Sequence, residues 1–493
     1  MSAALNQQPS SCNPLSALVC GAALALAGCM SVPDIHPKAQ SREPNKLEAG
    51  KAISSAQTIE WPHEDWWTAY RDPQLDALMT TALKDSPTLH MAEARVELAK
   101  SYAAAMHAET LPNISGDASI SRERFTALQF IPPPWAGNVD WNNRTAISMA
   151  YDLDLWGRQE HVWKGSVNET QATAAEAQQV KLEIVTAIVR SYVRLSMEYA
   201  LRDIAEERLA EVEKRVSIAK RGLKAGLGTG MQVSEAETAV PMARAHIESI
   251  DAHIALTKNQ LAALAGQGPG AGEKLLRPSI KLEAAIGLPD TLPANLVGRR
   301  PDILAHRWHV EAAGENIESA KAAFYPNINL LAFIGFQALG FGQLISNAAA
   351  IGGVGPAISL PLFDGGRRKS QLTGRTAAYD MAVEQYNAVV VQALQDVSDQ
   401  LVILQSNEKQ RAEVRQSVAL AEKAHHLAEQ SYRAGLDNFQ HVLDTESTVL
   451  RQQEVMVQLE AERQEAHAGL MRALGGGVTD HLAQVEAKQE AKR

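Results

Sequence analysis

Cysteine is almost absent from this chain, and its positions exclude two kinds of site. The 493 residues include three cysteines, Cys12, Cys20 and Cys29, and none follows Cys29. The rest of the chain therefore cannot form an internal disulfide or a metal site built on thiolates. Aromatic residues are also scarce, at 5% of the chain. Because Ala, Glu, Gln and Leu are abundant, this composition favours long helices over a β-rich globule.

An excess of positive charge and the common catalytic motifs are further features that the sequence lacks. The formal net charge is -10, and no dense basic stripe is present that would neutralise the phosphates of a nucleic acid. No His-Glu-x-x-His motif, nucleophile elbow or phosphate-binding loop occurs. Other candidates for chemistry are few, since HED at 63–65 lies on a Trp-rich segment and His425 and His426 diverge on a helix. We therefore expect no nucleic acid partner, no bound metal or cofactor and no enzymatic activity, which disfavours a secreted enzyme.

The N-terminal segment is typical of a bacterial lipoprotein. Residues 15–28 form an apolar run that is too short to span a bilayer as a stable helix. The run ends in LAG directly before Cys29, so we expect a signal peptide over 1–28 and a covalent N-acyl and diacylglycerol lipid on Cys29. An ordinary secretory signal and a chance apolar stretch are the alternatives. The absence of Lys or Arg before Lys38 disagrees with both signal interpretations, because signal peptides favour a basic N-terminal region. Met30, at a position where inner-membrane retention favours Asp, indicates sorting to the outer membrane.

The rest of the chain is a tandem repeat. Three landmarks occur twice in the same order: LPNI at 111–114 and YPNI at 325–328, LWGR at 155–158 and DGGR at 364–367, KAGL at 224–227 and RAGL at 433–436. Roughly 210 residues separate the members of each pair, a regularity that chance does not readily produce. We therefore divide the chain into a lipidated linker over 29–60, a first repeat over 61–270, a second repeat over 290–477 and a polar C-terminal tail over 478–493.

Each repeat contains a long stretch without Gly or Pro. These stretches run from Gly165 to Gly222 and from Gly374 to Gly435. They predict helices on the order of 85–90 Å long, far longer than the helices of an ordinary globule. A Gly-containing turn follows each stretch, and a second helix returns from it, so that each repeat forms an antiparallel hairpin. Pro241 is expected to interrupt and kink the first returning helix.

Strand patterns lie between the short and the long helices of each repeat. Residues 143–155 alternate between apolar and polar, over about the length that a transmembrane β-strand needs. Residues 113–121 and 354–362 alternate similarly, whereas 327–336 are apolar on both faces and leave the orientation of the strand open. Four strands cannot close a barrel in a bilayer, and open edges there leave backbone groups unpaired. Either the sheet is soluble or several chains share one barrel; the signal peptide and the second repeat favour sharing.

Four segments of the repeats carry a resemblance to a known family. Residues 65–96 read DWWTAYRDPQLDALMTTALKDSPTLHMAEARV, and residues 288–330 contain RRPDI at 299–303. PLFDGGR at 361–367 and ALGGG at 473–477 complete the pattern. Together these segments resemble the TolC/OprM-type outer-membrane factors, in particular the NodT-like lipoproteins. The resemblance extends over 61–477, nearly the whole mature chain.

The resemblance implies an α+β membrane protein that works as a homotrimer in the bacterial outer membrane. Each subunit would give four strands to a twelve-stranded β-barrel and two hairpins to a long periplasmic α-helical barrel. Such channels are passive exit ducts for drugs and other small toxic compounds, and they serve inner-membrane pumps, usually of the RND type, through a periplasmic adaptor. The implied partners are therefore two more copies of the chain, the adaptor, the pump and outer-membrane lipid.

The resemblance also assigns architectural roles to five glycines. Gly157, Gly365 and Gly366 lie where a strand must bend into a long helix, and glycine tolerates the dihedral angles of such a corner. Gly226 and Gly435 lie at the two hairpin tips, deep in the periplasm. For all five, a simple loop glycine is the plainer interpretation, and here it is compatible with the architectural one.

The tip of the second repeat carries the family's gating pattern. Tyr432 and Asp444 match the aromatic and acidic positions of that pattern. His441 stands one turn before Asp444, where relatives often carry Asp, and Asp437 stands where some relatives carry Arg. The first tip has no acidic residue at the equivalent positions. These four residues are our candidates for a periplasmic gate, and solvated tip residues without a gating role are the alternative.

A periplasmic adaptor lipoprotein of an efflux pump is the main alternative function. Such a protein also has a signal peptide and a long hairpin, but it should have one hairpin flanked by small β-domains. Two hairpins, two strand pairs and an internal repeat favour the channel.

Overall fold

The computed structural model describes residues 32–43, 47, 62–128, 132–281 and 300–477. These residues divide into two compact units. The first unit holds the described residues of Met1–Gln40, Leu98–Gln171 and Trp308–Glu384, and the second holds those of Ser41–Glu97, Ala172–Arg307 and Gln385–Arg493. The predicted signal peptide, Cys29, most of the linker over 29–60 and the tail over 478–493 lie outside the described residues, so these predictions stay untested.

One series of elements, a helix followed by two strands and a long helical hairpin, occurs in both repeats. The first repeat contains α1 (Pro73–Asp85), α2 (Pro87–Ala108), β1 (Asn113–Arg124), β2 (Val139–Asp152), α3 (Arg158–Lys224), α4 (Gly230–Leu264) and α5 (Pro269–Glu273). The second contains α6 (Pro301–Ala322), β3 (Asn327–Leu339), β4 (Ala350–Ser359), α7 (Arg367–Arg433) and α8 (Phe439–Ala473). The repeated series of a helix, two strands and a helical hairpin confirms the tandem repeat.

The two hairpins match each other in length. α3 and α7 each have 67 residues, and α4 and α8 each have 35. At 1.5 Å per residue, the longer helices reach about 100 Å, which confirms the predicted long hairpins. No helix in the described ranges has both the length and the apolar character needed to cross a membrane.

Two details of the helices differ from the sequence prediction. α3 begins at Arg158, before Gly165. Gly165 lies inside the helix, and the carbonyl oxygen of Ala312 in α6 comes within 3.5 Å of the place that a Cβ of residue 165 would take. α4 continues through Pro241, so the predicted interruption is wrong. A long helix keeps its other hydrogen bonds on both sides of the one that proline removes.

The four strands form one antiparallel sheet in the order β1-β2-β3-β4. Its register places Ile114 opposite Met149, Met149 opposite Ala332, and Ala332 opposite Val354. Because side chains alternate along a strand, each such row lies on one side of the sheet. We define the apolar face by the large side chains that share this side: Ile114, Ile120, Trp141, Ile147, Met149, Leu330, Ile334, Phe336, Val354 and Ile358. The polar face, on the other side, carries Ser115, Asp117, Ser119, Ser121, Glu123, Arg144 and Ser148.

The structure resolves the orientation of β3, which the sequence left open. Pairing with β2 assigns Leu330 and Ile334 to the apolar face and Phe333 to the polar face. Phe333 is accommodated there because its ring covers Gly353, where an added Cβ would lie 3.0 Å from Cε1. The guanidinium of Arg144 lies 5.9 Å from the centre of the same ring. The absence of a side chain at Gly353 leaves room for the Phe333 ring on the polar face, and the cation–π contact with Arg144 stabilises it there.

The predicted bounds of two strands were shifted towards the following helix. β2 ends at Asp152, before the predicted end at residue 155, because Asp154 has a left-handed φ of 41° that a strand does not accommodate. β4 ends at Ser359, before the predicted end at residue 362. It includes Pro356, which has no N–H to donate, on a strand that pairs on one side only within the described chain.

The core of the second unit lies where α1 packs against the hairpin helices. Leu75, Met79, Ile188, Tyr192 and Leu261 are at most 1% exposed. At the start of α1, the Asp72 carboxylate accepts hydrogen bonds from the N–H groups of Gln74 and Leu75 and from Ser279. Burial opposes ionisation of this carboxyl, but these bonds outweigh it and lower its pKa.

Arg300 explains the RRPDI segment in structural terms. Its guanidinium is 5% exposed and donates to Asp302 at 2.7 and 3.0 Å and to Asp396 in α7 at 3.0 Å. It also donates to the carbonyl oxygen of Ala473 at 3.3 Å. A buried arginine with this many acceptors connects the start of α6 to both helices of the second hairpin.

Candidate functional site at the hairpin tips and strand corners

The tip of the second hairpin is a tight turn built on Gly435. α7 ends at Arg433, and Gly435 has a φ of 70°, a conformation that residues with a Cβ rarely adopt. The N–H of Gly435 donates to the carbonyl of Tyr432, and the N–H of Leu436 donates to the carbonyl of Ser431, both at 2.9 Å. These bonds satisfy the last carbonyls of the helix and end it sharply.

The tip of the first hairpin has the same geometry. Gly226 has a φ of 72°, and two N–H groups of its turn donate to α3 carbonyls at 3.1 and 2.9 Å. Thr229 then caps α4 through a capping box with Gln232, in which each side chain accepts a hydrogen bond from the other residue's N–H. Gln232 therefore has a structural role in starting the helix.

Three of the four candidate gate residues make local contacts. The ring of Tyr432 packs edge-to-face on Phe439, with centroids 4.9 Å apart. Nδ1 of His441 lies 2.9 Å from Oδ2 of Asp437, four positions earlier and just before α8 begins. The side chain of His441 is 56% exposed, so it is open to water as well as to its carboxylate neighbour. Asp437 is thus placed to balance the charge of the imidazole whenever the ring is protonated.

Asp444, the fourth candidate, bonds to a residue of the other hairpin. Arg215 in α3 donates from Nη1 to Oδ1 of Asp444 at 2.9 Å, and Gln440 donates to the same oxygen at 3.0 Å. Arg215 also donates through Nε and Nη2 to Oε1 of Glu211 at 2.9 and 2.7 Å. Burial raises the pKa of the Glu211 carboxyl, although the bonds from Arg215 oppose the rise. Among the described residues, Asp437 and His441 are the two candidates that pair with each other, whereas Tyr432 and Asp444 contact other residues.

Two more ion pairs join the same two helices. Lys214 lies 3.4 Å from Glu446, and Arg208 lies 3.5 Å from Glu454. In successive pairs, the α3 residue and its α8 partner both lie farther from the tip, because the two helices are antiparallel. Sequence reasoning missed Arg215 and these pairs, since their partners lie in the other repeat. The available signal was complementary charge, with Arg and Lys on α3 and Asp and Glu on α8.

The corner from β2 into α3 depends on Asp154 as well as on Gly157. Gly157 has a φ of 70°, and its N–H donates to the carbonyl of Asp154 at 2.9 Å. Oδ2 of Asp154 accepts from the N–H groups of Gln159 and Glu160, both at 2.9 Å. Asp154 therefore caps the first turn of α3.

The corner from β4 into α7 repeats this arrangement. Gly365 and Gly366 have φ values of 64° and 89°. Asp364 accepts from the N–H of Gly366 at 3.0 Å and from the N–H and Nε of Arg368 at 3.2 and 2.8 Å. The side-chain bond from Arg368 is the main reason why the pKa of the Asp364 carboxyl is lowered. Sequence reasoning singled out the glycines and missed the capping aspartates, although Asp within a few residues of a helix start is a recognisable signal.

Landmarks of the two repeats contact each other at the helix end of the sheet. The ring of Trp156 stacks on Tyr325, with centroids 4.7 Å apart and planes inclined by 21°. Its Nε1 donates to the carbonyl of Pro326 at 2.9 Å. The LWGR segment of the first repeat therefore packs against the YPNI segment of the second and forms a hydrogen bond to it.

Two further predictions from the sequence concern lipid attachment and metal binding. The predicted lipid-bearing Cys29 lies outside the described residues. Within the described ranges, no three His, Cys, Asp or Glu side chains are grouped so that they could hold a metal ion.

Comparisons with known proteins agree with this architecture. The family described as outer membrane efflux protein matches residues 78–267 and 292–476, one segment in each repeat. A fusaric acid resistance protein, FusA of Burkholderia cepacia, is 41% identical over 379 residues, covering 75% of this chain and 71% of that protein. A multidrug resistance outer membrane protein, MdtP of Shigella flexneri, is 30% identical over 475 residues, covering 93% and 95%.

A solved structure agrees as well. The outer membrane protein VceC of Vibrio cholerae superposes with a TM-score of 0.79 at 34% identity, covering 85% of this chain and all of that one. Because the family match includes both repeats, it decides for the efflux channel over the periplasmic adaptor. The predicted fold class and outer-membrane location are confirmed, and this chain belongs to the outer membrane efflux protein family.

Proposed function

We propose that three copies of this chain form one channel through the outer membrane, which serves as the passive exit duct of a tripartite efflux system. The observation that carries the proposal is the sheet, whose apolar face is exposed, with Ile114, Ile334 and Val354 each 69% exposed or more. Its edge strands β1 and β4 each have one side unpaired within the described chain. In a bilayer, open edges need partners, and strands of neighbouring copies would supply them in a twelve-stranded barrel.

The partners and the cargo follow from the family. A duct in the outer membrane needs a source of energy elsewhere, so we propose an inner-membrane pump of the RND type, joined through a periplasmic adaptor. The names of the relatives refer to fusaric acid resistance and to multidrug resistance. Drugs and small toxic compounds, aromatic acids among them, are accordingly the proposed cargo. No catalytic step and no cofactor is part of this function.

Conductance and assembly test the channel. The full-length protein should run as a trimer on a gel without heating and as a monomer after heating, and it should produce stepwise currents in a planar phosphatidylcholine bilayer. A heat-insensitive monomer that gives no current would contradict the proposal.

Lipid attachment at Cys29 is a separate proposal. It rests on the LAGC segment at 26–29, and it would hold each subunit at the inner face of the membrane. Cys29→Ser should abolish labelling by radioactive palmitate and cause uncleaved precursor to accumulate, whereas Cys20→Ser should do neither. Continued labelling of the Cys29 variant would show that the anchor lies elsewhere.

The periplasmic gate is the third proposal. Tyr432, Asp437, His441 and Asp444 would narrow the channel where the tips of the three copies meet. His441 and Asp444 are three positions apart, which places them on one helix face, and both side chains are more than half exposed. His441→Ala should change the conductance and cation preference of the channel in planar bilayers; unaltered values would exclude His441 from the gate.

A further inference from the structure

The end of the apolar face that lies away from the helices carries cations and aromatic rings. Arg122 of β1 is in register with Trp141 of β2, and Arg124 is in register with Val139, so all four side chains share the apolar face. The guanidinium of Arg122 lies 5.8 Å from the centre of the Trp141 ring. Trp141 in turn packs against Phe341, just after β3, with centroids 5.4 Å apart. The two cations are thus set in an aromatic and apolar surface.

Acidic side chains at this end lie on the opposite face of the sheet. Glu123, between the two arginines, belongs to the polar face and accepts a hydrogen bond from Asn142 at 2.6 Å. Asp140 also belongs to the polar face by alternation. Neither Arg122 nor Arg124 forms an ion pair with a carboxylate within the described part of the chain. Nε of Arg124 donates to the carbonyl of Gly137 at 3.3 Å, which leaves its terminal nitrogens available.

The position of the cluster along the strand matches the boundary of a bilayer. From Ile114 to Arg122, β1 extends by about 27 Å at 3.3–3.4 Å per residue, which corresponds to about 19–22 Å along the bilayer normal at the 35–45° tilt of barrel strands. The apolar band of an outer-membrane barrel is about 25 Å tall, with aromatic residues at both borders. Ile114 and Ile120 lie within such a length, and Arg122 with Trp141 lies at its border. Since the long helices leave from the other ends of the strands, this border is the one that faces the cell surface.

We propose that Arg122, Arg124 and Trp141 form a binding site for the phosphate groups of lipid A, the anionic lipid of the outer leaflet. A guanidinium binds phosphate through two parallel N–H donors. The Trp141 ring orients the guanidinium of Arg122 by a cation–π contact. The surface is continuous with the apolar face, so acyl chains and phosphates of one lipid are contacted together. This inference rests on the proposed function, because it requires the apolar face to lie in lipid.

The test compares two sets of arginines on the same sheet. Full-length protein is placed in phosphatidylcholine nanodiscs with lipid A that carries both phosphates, and retained lipid is counted by native mass spectrometry. Arg122→Gln with Arg124→Gln should weaken retention about tenfold, the size expected when charge-assisted bonds are lost. Arg144→Gln, which removes an arginine of the polar face, should leave retention unchanged. Lipid A without phosphates should bind the original protein as weakly as the double variant binds the complete lipid.

Three results would overturn the site. In the first, the double variant retains as much lipid A as the original protein. In the second, Arg144→Gln loses as much lipid A as the double variant. In the third, the original protein retains phosphatidylglycerol as strongly as lipid A, which would indicate a general preference for anionic lipid. Planar-bilayer conductance in phosphatidylcholine keeps this outcome separate from the channel. If the double variant conducts normally, only the lipid A site is rejected, whereas absence of current from the original protein contradicts the proposed function.

Discussion

Arg215 and Asp444, separated by 229 positions, join the two hairpins of one chain through a 2.9 Å hydrogen bond near their tips. The Asp444 side chain is 59% exposed, and exposed ion pairs contribute at most about 1 kcal/mol to the free energy of unfolding. We therefore expect Asp444→Asn to leave the melting temperature nearly unchanged, whereas Arg215→Gln should lower it, because that change also removes the two bonds to the buried Glu211. Both should raise the open probability of the channel in planar bilayers, since the tie between hairpins near the tip is lost.

A matched control lies in the first hairpin. Lys220 and Glu237 are 2.7 Å apart, and the Glu237 side chain is 48% exposed, but this pair joins α3 and α4 within one hairpin. Glu237→Gln should leave the open probability unchanged. If all three variants behave alike, the tie between Arg215 and Asp444 has no part in gating.

The two faces of β2 should respond differently to charge. Ile147 lies on the apolar face and is 58% exposed, so Ile147→Arg should cost about 2–4 kcal/mol near the middle of a bilayer and prevent recovery of the heat-sensitive trimer. Ser148, its neighbour on the polar face, is the control, and Ser148→Arg should give normal amounts of trimer on an unheated gel. Equal damage from both changes would indicate a sheet buried in protein on both sides.

Much of the sheet could be predicted because its strands obey a simple alternation. The pattern around Ile147 places apolar side chains on one face, and the structure agrees. β3 could not be oriented, because it is apolar at both parities and its direction depends on pairing with β2. Phe333 shows why: it is accepted on the polar face only because Gly353 lies beneath it, and that neighbour is unknown until the register is known.

Gly335 is predicted to be indispensable to the pairing of β2 with β3. A Cβ at this position would collide with the carbonyl oxygen of Thr145 and lie 2.6 Å from Cα of Ala146. Gly335→Ala should therefore destabilise the sheet by about 1–3 kcal/mol, as overpacking does elsewhere, and reduce trimer recovery. Gly355 lies on the same face with nothing within 4 Å of an added Cβ, so Gly355→Ala should be tolerated. Equal trimer yields from the two variants would refute the steric explanation.

His467 in α8 should make stability depend on pH. Its ring is 9% exposed and packs edge-to-face on Trp66 and Tyr70. Burial, with a smaller effect of the nearby Arg463, lowers its pKa from 6.5 to about 4. The unfolded chain therefore binds the proton first as the pH falls. Stability is full above about pH 6.5 and declines by about 3 kcal/mol down to pH 4.

The melting temperature of the protein in detergent at pH 7.5 and 4.5 measures this loss. His467→Phe keeps a ring but cannot titrate, so its melting temperature should fall less between the two pH values than that of the original protein. His426→Phe, at an exposed position of α7, should retain the original dependence. A fall in His467→Phe as large as in the original protein would remove His467 as the cause.

The candidate gate shows where prediction from one sequence ends. Gly435 could be placed at a turn because glycine after a long helix has a local cause in the backbone. The partner of Asp444 could not be found, because Arg215 belongs to the other repeat and reaches it only when the hairpins pack together. His441 and Asp437 are the intermediate case: they are four positions apart, but Asp437 precedes the N-cap Asn438 of α8, so their contact depends on the shape of the turn.

The antiparallel order of the four strands determines how copies can be joined. β1 and β4 run in opposite directions, because neighbouring strands alternate in direction and the sheet has an even number of strands. When β4 of one copy pairs with β1 of the next, the seam is antiparallel too, whatever the number of copies. A chain with three or five strands would instead create a parallel seam, which has a different hydrogen-bond pattern. Since each repeat supplies one strand pair, duplication or loss of a whole repeat changes the circumference of the pore without breaking the alternation.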